Sequence, residues 1–147
     1  MEINYSKIYF IGIGGIGMSS IALFYLNNKK VIGGYDKTKS DLTLRLSNSG
    51  AQIHYESNVS NIPMEFMDKT NTLIVYTPAI SKDDVELNYF IENDYKIFKR
   101  SEILGIISQN KFCIAIAGTH GKTTTSTILS HLFYENNISF TSFIGGI

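Results

Sequence analysis

The chain has a single cysteine, Cys113, so no internal disulfide can form. Cys113 lies in an apolar run, where the expectation is a small buried hydrophobe rather than a reactive thiol. Net charge is also missing, with thirteen basic residues balancing thirteen acidic ones and neither kind gathered in blocks. No basic stripe exists to track a nucleic-acid backbone or to hold an anionic membrane surface, which excludes nucleic acid as a main partner. No apolar run approaches the roughly 18 residues needed to span a bilayer, so no membrane partner is expected. Met1-Glu2-Ile3-Asn4 shows no basic stretch followed by an apolar segment, so no secretory signal is expected. A reducing cytoplasm is the expected location.

Charged residues are scarce, at 18% of the chain, while 44% are hydrophobic. That balance supports a packed core and argues against disorder. At 147 residues there is room for one ordinary domain and part of another. Internal repeats and low-complexity linkers are absent.

Strand and helix patterns alternate from the start, which predicts a parallel sheet covered on both faces. Strands are expected over 7–11, 31–35, 52–55, 72–76, 96–98, 112–117 and 138–144. Helices are expected over 18–27, 42–49 (capped by Asp41), 85–93, 101–108 and 123–134. The polar stretch 56–70, with Pro63, reads as loop with a turn of helix at most. A new strand–loop–helix unit begins near Gln109-Asn110, dividing the chain into domains 1–108 and 109–147. The second would have an open sheet edge, so it reads as the incomplete start of a domain.

Two glycine-rich loops carry the chemistry. In the first, Gly12-Ile13-Gly14-Gly15-Ile16-Gly17 follows an apolar strand and opens a helix. Gly12 suits the tight turn, Gly14 the approach of backbone to a pyrophosphate and Gly17 close helix–strand packing, with free helix N–H groups facing the anion. Asp36 ends the second strand, about 20 residues further on, where a dinucleotide-binding unit contacts ribose hydroxyls; a solvated turn residue beside Lys37 is the alternative. The second loop is Gly118-Thr119-His120-Gly121-Lys122-Thr123-Thr124-Thr125. Its backbone amides would cradle phosphates, Lys122 would meet the terminal phosphates and the Thr123 hydroxyl would meet Mg2+. The loop is compressed, with Ile116 where the common eight-residue pattern has its first glycine. His120 touches nucleotide or substrate, or is an ordinary loop histidine.

The compressed loop over 118–125 resembles that of the Mur ligases, the ATP-dependent amide-forming enzymes of peptidoglycan assembly. The run Ile11-Gly12-Ile13-Gly14-Gly15-Ile16-Gly17-Met18-Ser19 narrows the likeness to the member that adds the first amino acid. Tyr76-Thr77-Pro78-Ala79-Ile80 and Arg100-Ser101-Glu102-Ile103-Leu104 extend it over nearly the whole chain. The resemblance implies a Rossmann-like domain for UDP-N-acetylmuramate, followed by the start of a P-loop ATPase domain. It implies that Gly14, Gly15, Ile16, Gly17 and Met18 hold the UDP diphosphate, with Thr77, Pro78 and Ala79 lining the same crevice; Gly12 and Asp36 complete the expected UDP-sugar-binding set. It implies ATP and Mg2+ at Gly118, Thr119, His120, Gly121, Lys122, Thr123 and Thr124, with Lys122 catalytic. The reaction it implies joins L-alanine to the lactyl carboxylate through an acyl phosphate. Further metal ligands and the alanine site would lie beyond Ile147. The family's glycine-histidine pair after the third strand is not matched, since Glu56-Ser57 stands near that place; His54 is close but out of register.

Other readings stand beside this one. Thr77-Pro78 could be a plain strand terminator, and Arg100 a surface cation. The chain alone could be a non-catalytic UDP-sugar binding module, or belong to the related ligase that attaches a recycled murein peptide. A nicotinamide dehydrogenase would use the first loop but leaves Lys122 and its following threonines unexplained.

Overall fold

A computed structural model describes residues 5–109 and 111–145. The N-terminal residues 1–4 examined above for a signal, Asn110 of the expected boundary and the closing residues 146–147 lie outside the described residues. The chain forms two compact units, Met1–Gln109 and Asn110–Ile147.

The first unit is an α/β layer structure. Its elements run β1 (Lys7–Ile11), α1 (Ile16–Asn27), β2 (Val31–Tyr35), α2 (Asp41–Asn48), β3 (Gln52–His54), β4 (Thr72–Tyr76), α3 (Val85–Glu92), β5 (Lys96–Lys99) and α4 (Arg100–Ser108). Two short 3-10 turns, Val59–Asn61 and Met64–Met67, occupy the polar stretch between β3 and β4. All strand pairs are parallel, in the order β3-β2-β1-β4-β5. Strand order therefore reverses at β1, between β2 on one side and β4 on the other. The carboxyl ends of β1 and β4 at that reversal form the crevice where open parallel sheets bind ligands.

The pleat sends alternate side chains of β1 to opposite faces. Tyr9 and Ile11 join Tyr35, Ile62, Phe66, Ile74, Leu87, Phe90 and Tyr95 in one buried cluster, under α3 and the 3-10 turns. Ile8 and Phe10, with Leu73 and Val75 of β4, are completely buried on the other face. There α1 touches both α2 and α4. β2 carries Gly33 where a side chain would collide with the ring of Phe66; a Cβ there would lie 2.5 Å from its Cε2.

Asp41 was the expected cap of α2, but Ser40 holds that place. Its hydroxyl accepts from the Thr43 amide, and Thr43 Oγ1 accepts from the Ser40 amide in return. The Ser40 and Thr43 hydroxyls thus each satisfy one free amide, and Asp41 is left in the first turn, where its charge suits the helix dipole.

The second unit has one regular element among its described residues, α5 (Lys122–Glu135). The strands expected over 112–117 and 138–144 do not form among the described residues. A strand exists through ladder hydrogen bonds to a neighbour, and neither run has one. Phe112, Ile114, Ile138 and Phe140 are accordingly exposed. Cys113 is exposed as well, contrary to the burial expected of it.

Candidate functional site

The loop after β1 is held by the sheet itself. The carbonyl of Tyr35, last residue of β2, accepts from both Gly12 N–H (2.8 Å) and Ile13 N–H (3.0 Å). Gly12 turns the chain with φ of 84°, a left-handed conformation that a side chain would resist. A Cβ on Gly12 would also sit 2.8 Å from Thr77 Cγ2, so the carboxyl ends of β1 and β4 are in direct contact at the crevice. Past Thr77 the chain turns, with Ile80 N–H donating to the Thr77 carbonyl, and Pro78 and Ala79 are exposed.

α1 begins without a side-chain cap. Its first backbone bond runs from Ser19 N–H to the Gly15 carbonyl, at 2.8 Å. The amides of Ile16, Gly17 and Met18 therefore have no intrahelical acceptor, and they aim the positive end of the helix out of the loop. Gly17 differs from the expectation of close helix–strand packing. What a Cβ there would strike, at 2.8 Å, is Nη1 of Arg100, the first residue of α4. α1 and α4 are neighbours in one layer, so the missing side chain makes room for a guanidinium beside the three free amides. No local pattern around Arg100 announces that position.

Asp36 is drawn into the loop. Its Oδ2 accepts from Gly14 N–H at 2.7 Å, and its Oδ1 accepts from Thr38 N–H at 2.9 Å. Gly12, Gly14 and Gly17 thus each face a side chain from another element: Thr77, Asp36 and Arg100.

The second loop, treated by itself, is exposed throughout 117–125. Gly121 caps α5 in the left-handed conformation, φ 78°. The Lys122 ammonium donates to the carbonyls of Gly118 (2.5 Å) and Thr119 (3.2 Å), which holds its charge over the loop. His120, Thr123 and Thr124 are exposed. A hard hydroxyl oxygen in the first turn of the helix suits Mg2+, which takes one or two protein oxygens and fills its other positions with phosphate and water. Among the described residues no group of three His, Cys, Asp or Glu could hold a metal. A concavity lined by Tyr134, Glu135, Asn137, Ile138, Ser139 and Phe140 lies at the opposite end of α5 from Lys122.

Sequence reasoning missed a buried polar cluster beneath the first loop. Tyr9 and Glu86 are completely buried, and the Tyr9 hydroxyl lies 2.6 Å from both Glu86 Oε2 and His54 Nε2. Burial pushes the Glu86 carboxyl up to about 7, against the hydrogen bonds that stabilise its charge. Burial also lowers the His54 imidazole, and it raises the Tyr9 hydroxyl further still beside the Glu86 charge. The weak signals were a hydroxyl-bearing tyrosine inside a mostly apolar strand and an acid in a helix's first turn, where acids are ordinary.

Fold and loops define a parallel-sheet α/β protein with a glycine-rich, amide-presenting loop opening a helix in each unit. Residues 7–112 match the family described as Mur ligase family, catalytic domain. The chain belongs to the Mur ligase family. A UDP-N-acetylmuramate–L-alanine ligase of Flavobacterium psychrophilum is 53% identical over 141 residues, covering 96% of this chain and 31% of that protein. The namesake from Cytophaga hutchinsonii is 47% identical, covering 96% and 30%. Among solved structures, UDP-N-acetylmuramate–alanine ligase of Thermotoga maritima superposes with a TM-score of 0.84 at 31% identity, over 96% of this chain and 32% of that one. A murein peptide ligase of Psychrobacter arcticus gives 0.78 at 25% identity, over 89% and 27%. The chain thus spans about a third of the length of the curated relatives it matches. No helix among the described residues is long and apolar enough to cross a membrane.

Proposed function

We propose that the first unit binds UDP-N-acetylmuramate, and that the protein of which this chain forms part joins L-alanine to its lactyl carboxylate at the expense of ATP. The observation that carries this reading is the meeting of three free amides (Ile16, Gly17 and Met18) with the Arg100 guanidinium at the sheet's reversal point. A diphosphate takes both kinds of donor, amides that fix its place and a planar cation that matches its oxygens. Thr77, Pro78 and Ala79 border the same crevice, and Asp36 lies within reach of a ribose there. The names of the relatives, including the alanine ligases of Flavobacterium and Thermotoga, support the substrate assignment.

In this reading the second loop serves ATP. Gly118, Thr119, His120 and Gly121 surround the phosphates, Lys122 neutralises charge on the moving phosphoryl group and Thr123 offers its hydroxyl to Mg2+. Bound there, Mg2+ supplies electrostatic stabilisation of phosphate charge. The contribution of the residues is positional and electrostatic. The carboxylate activated as an acyl phosphate is then open to the amine of L-alanine.

The 147-residue chain by itself binds the UDP-sugar without turning it over. α5 buries none of its residues fully, and its contacts with the following chain, such as Phe133 on Phe140, leave Lys122 exposed. Residues 1–108 are then the UDP-sugar domain and 109–147 the start of the ATP domain. Titration calorimetry with UDP-N-acetylmuramate, UDP and NAD tests the assignment. Binding of the first two and not of NAD is expected; binding of NAD in preference to UDP overturns it.

A further inference from the structure

Tyr9 is the middle residue of β1, His54 the last of β3 and Glu86 the second of α3, so three separate elements bring their polar ends to one point. The Tyr9 hydroxyl lies between Glu86 Oε2 and His54 Nε2, 2.6 Å from each. Glu86 Oε1 accepts from Asn58 N–H at 3.0 Å and lies 3.5 Å from His54 Nε2. The other imidazole nitrogen, Nδ1, is 2.9 Å from the Glu56 carbonyl, which can only accept, so Nδ1 carries a hydrogen.

Counting hydrogens decides the state. The hydroxyl has one hydrogen and can fill one of its two short contacts. The other contact needs a hydrogen from its partner. Either Nε2–H donates to Tyr9 and Tyr9 donates to a Glu86 carboxylate, or a Glu86 carboxylic acid donates to Tyr9 and Tyr9 donates to a neutral His54. Both arrangements contain one proton more than neutral His54, neutral Tyr9 and ionised Glu86. Losing that proton would leave two lone pairs facing each other at 2.6 Å.

The surroundings favour keeping it. Phe66 and Phe90 flank the Tyr9 ring at 5.4 and 5.3 Å between centroids. The charged and titratable neighbours are acidic or aromatic. Asp84 caps α3 and acts on Tyr9 and Glu86, while Tyr35 on β2 feels Asp84, Glu86 and Asp36. The raised Glu86 carboxyl and lowered His54 imidazole agree with the arrangement in which the acid holds the proton.

The cluster reaches the first loop through His54. Its ring stacks on Tyr35, 5.7 Å between centroids, and its carbonyl accepts from Asp36 N–H at 3.2 Å. Tyr35 and Asp36 in turn hold the amides of Gly12, Ile13 and Gly14.

We propose that Tyr9, His54 and Glu86 form a relay holding one shared proton, and that through Tyr35 and Asp36 it positions the loop over 12–14 for its anionic ligand. Only the ligand rests on the function proposed above; the proton and its link to the loop do not. Glu86→Gln supplies the conservative substitute. Its amide oxygen can accept from Asn58 while its NH2 donates to Tyr9, a permanent copy of the protonated acid. Tyr9→Phe removes the bridge.

The test is NMR of the 147-residue chain between pH 6 and 9, following the Glu86 side-chain carbon, the His54 ring nitrogens and the Gly12 amide. One midpoint common to all three is expected, with the Gly12 step gone in Glu86→Gln. UDP-N-acetylmuramate affinity, measured by calorimetry, should fall about five-fold across that step in the wild type. It should stay level in Glu86→Gln and be low at every pH in Tyr9→Phe. A Glu86 carboxyl that titrates in the ordinary carboxylate range, a Gly12 amide that does not move, or a Gly12 step that survives Glu86→Gln overturns the relay. A wild-type chain that shows the common midpoint but ignores UDP-N-acetylmuramate overturns the ligand assignment and leaves the relay standing.

Discussion

Asp36 accepts the Gly14 amide at 2.7 Å, so a carboxylate from β2 already grips the loop proposed to hold a diphosphate. The contact fixes the loop and leaves the amides of Ile16, Gly17 and Met18 as the donors without an intrahelical acceptor. It also explains why Gly14 has no side chain. A Cβ there would lie 2.8 Å from Asp36 Oδ2 and 2.9 Å from Thr43 Cγ2. Gly14→Ala is expected to push Asp36 off the amide, destabilising the chain by roughly 1–3 kcal/mol and lowering UDP affinity. Urea denaturation and calorimetry measure the two effects, and an unchanged pair of values would mean the contact does not order the loop.

Arg100 beside Gly17 makes a sharper electrostatic prediction. Arg100→Ala should weaken UDP binding by about ten-fold or more, the scale of a charged hydrogen bond, and should weaken uridine binding little. Arg100→Lys should not restore it, because an ammonium cannot match two phosphate oxygens as a planar fork does. Calorimetry at low and high salt checks both, and equal losses for UDP and uridine would remove Arg100 from the phosphates.

The strand–loop–helix order of the first unit was legible because its signals are local. An apolar pentapeptide, a glycine run and a helical stripe each announce themselves within a few residues. Asp41 and Ser40 are equally good caps by residue type, and only the geometry with Thr43 separates them. The runs 112–117 and 138–144 look like strands by composition, yet a strand needs a neighbour, which local pattern does not supply. Long-range relationships were the least visible. Arg100 lies 83 positions after Gly17, and Glu86 lies 77 after Tyr9. No spacing rule connects residues that only the sheet brings together.

Gly33 carries a prediction about stability alone. The Phe66 ring lies where its Cβ would be, with Cε2 at 2.5 Å and Cζ at 2.6 Å. Phe66 is fully buried and cannot swing into solvent without opening the core. Gly33→Ala should therefore lower stability by about 1–3 kcal/mol through overpacking. Adding Phe66→Leu should recover part of that loss, since the two changes share one contact. Urea midpoints for the two single variants and the double variant give the coupling, and strict additivity would show that the ring is not the obstacle.

Glu86 sets the pH dependence of folding. Burial raises its carboxyl from the ordinary carboxylate range to about 7, so the fold binds a proton that the unfolded chain has released. Its contribution is complete below the unfolded value and disappears as pH rises through 7. His54 works in the opposite sense. Its lowered imidazole favours the fold above 6.5 and loses that contribution as pH falls. The two effects oppose one another around 6.5, where the unfolded imidazole titrates, and Glu86 dominates above it. Stability should therefore fall between pH 6.5 and 8, with a slope well under one proton because the two groups partly cancel at the lower end. Glu86→Gln cannot release the proton and should show no fall across the same interval. Chemical denaturation at half-unit steps tests this, and a wild-type curve with no fall, like that of the variant, would show that Glu86 enters the folded core already ionised.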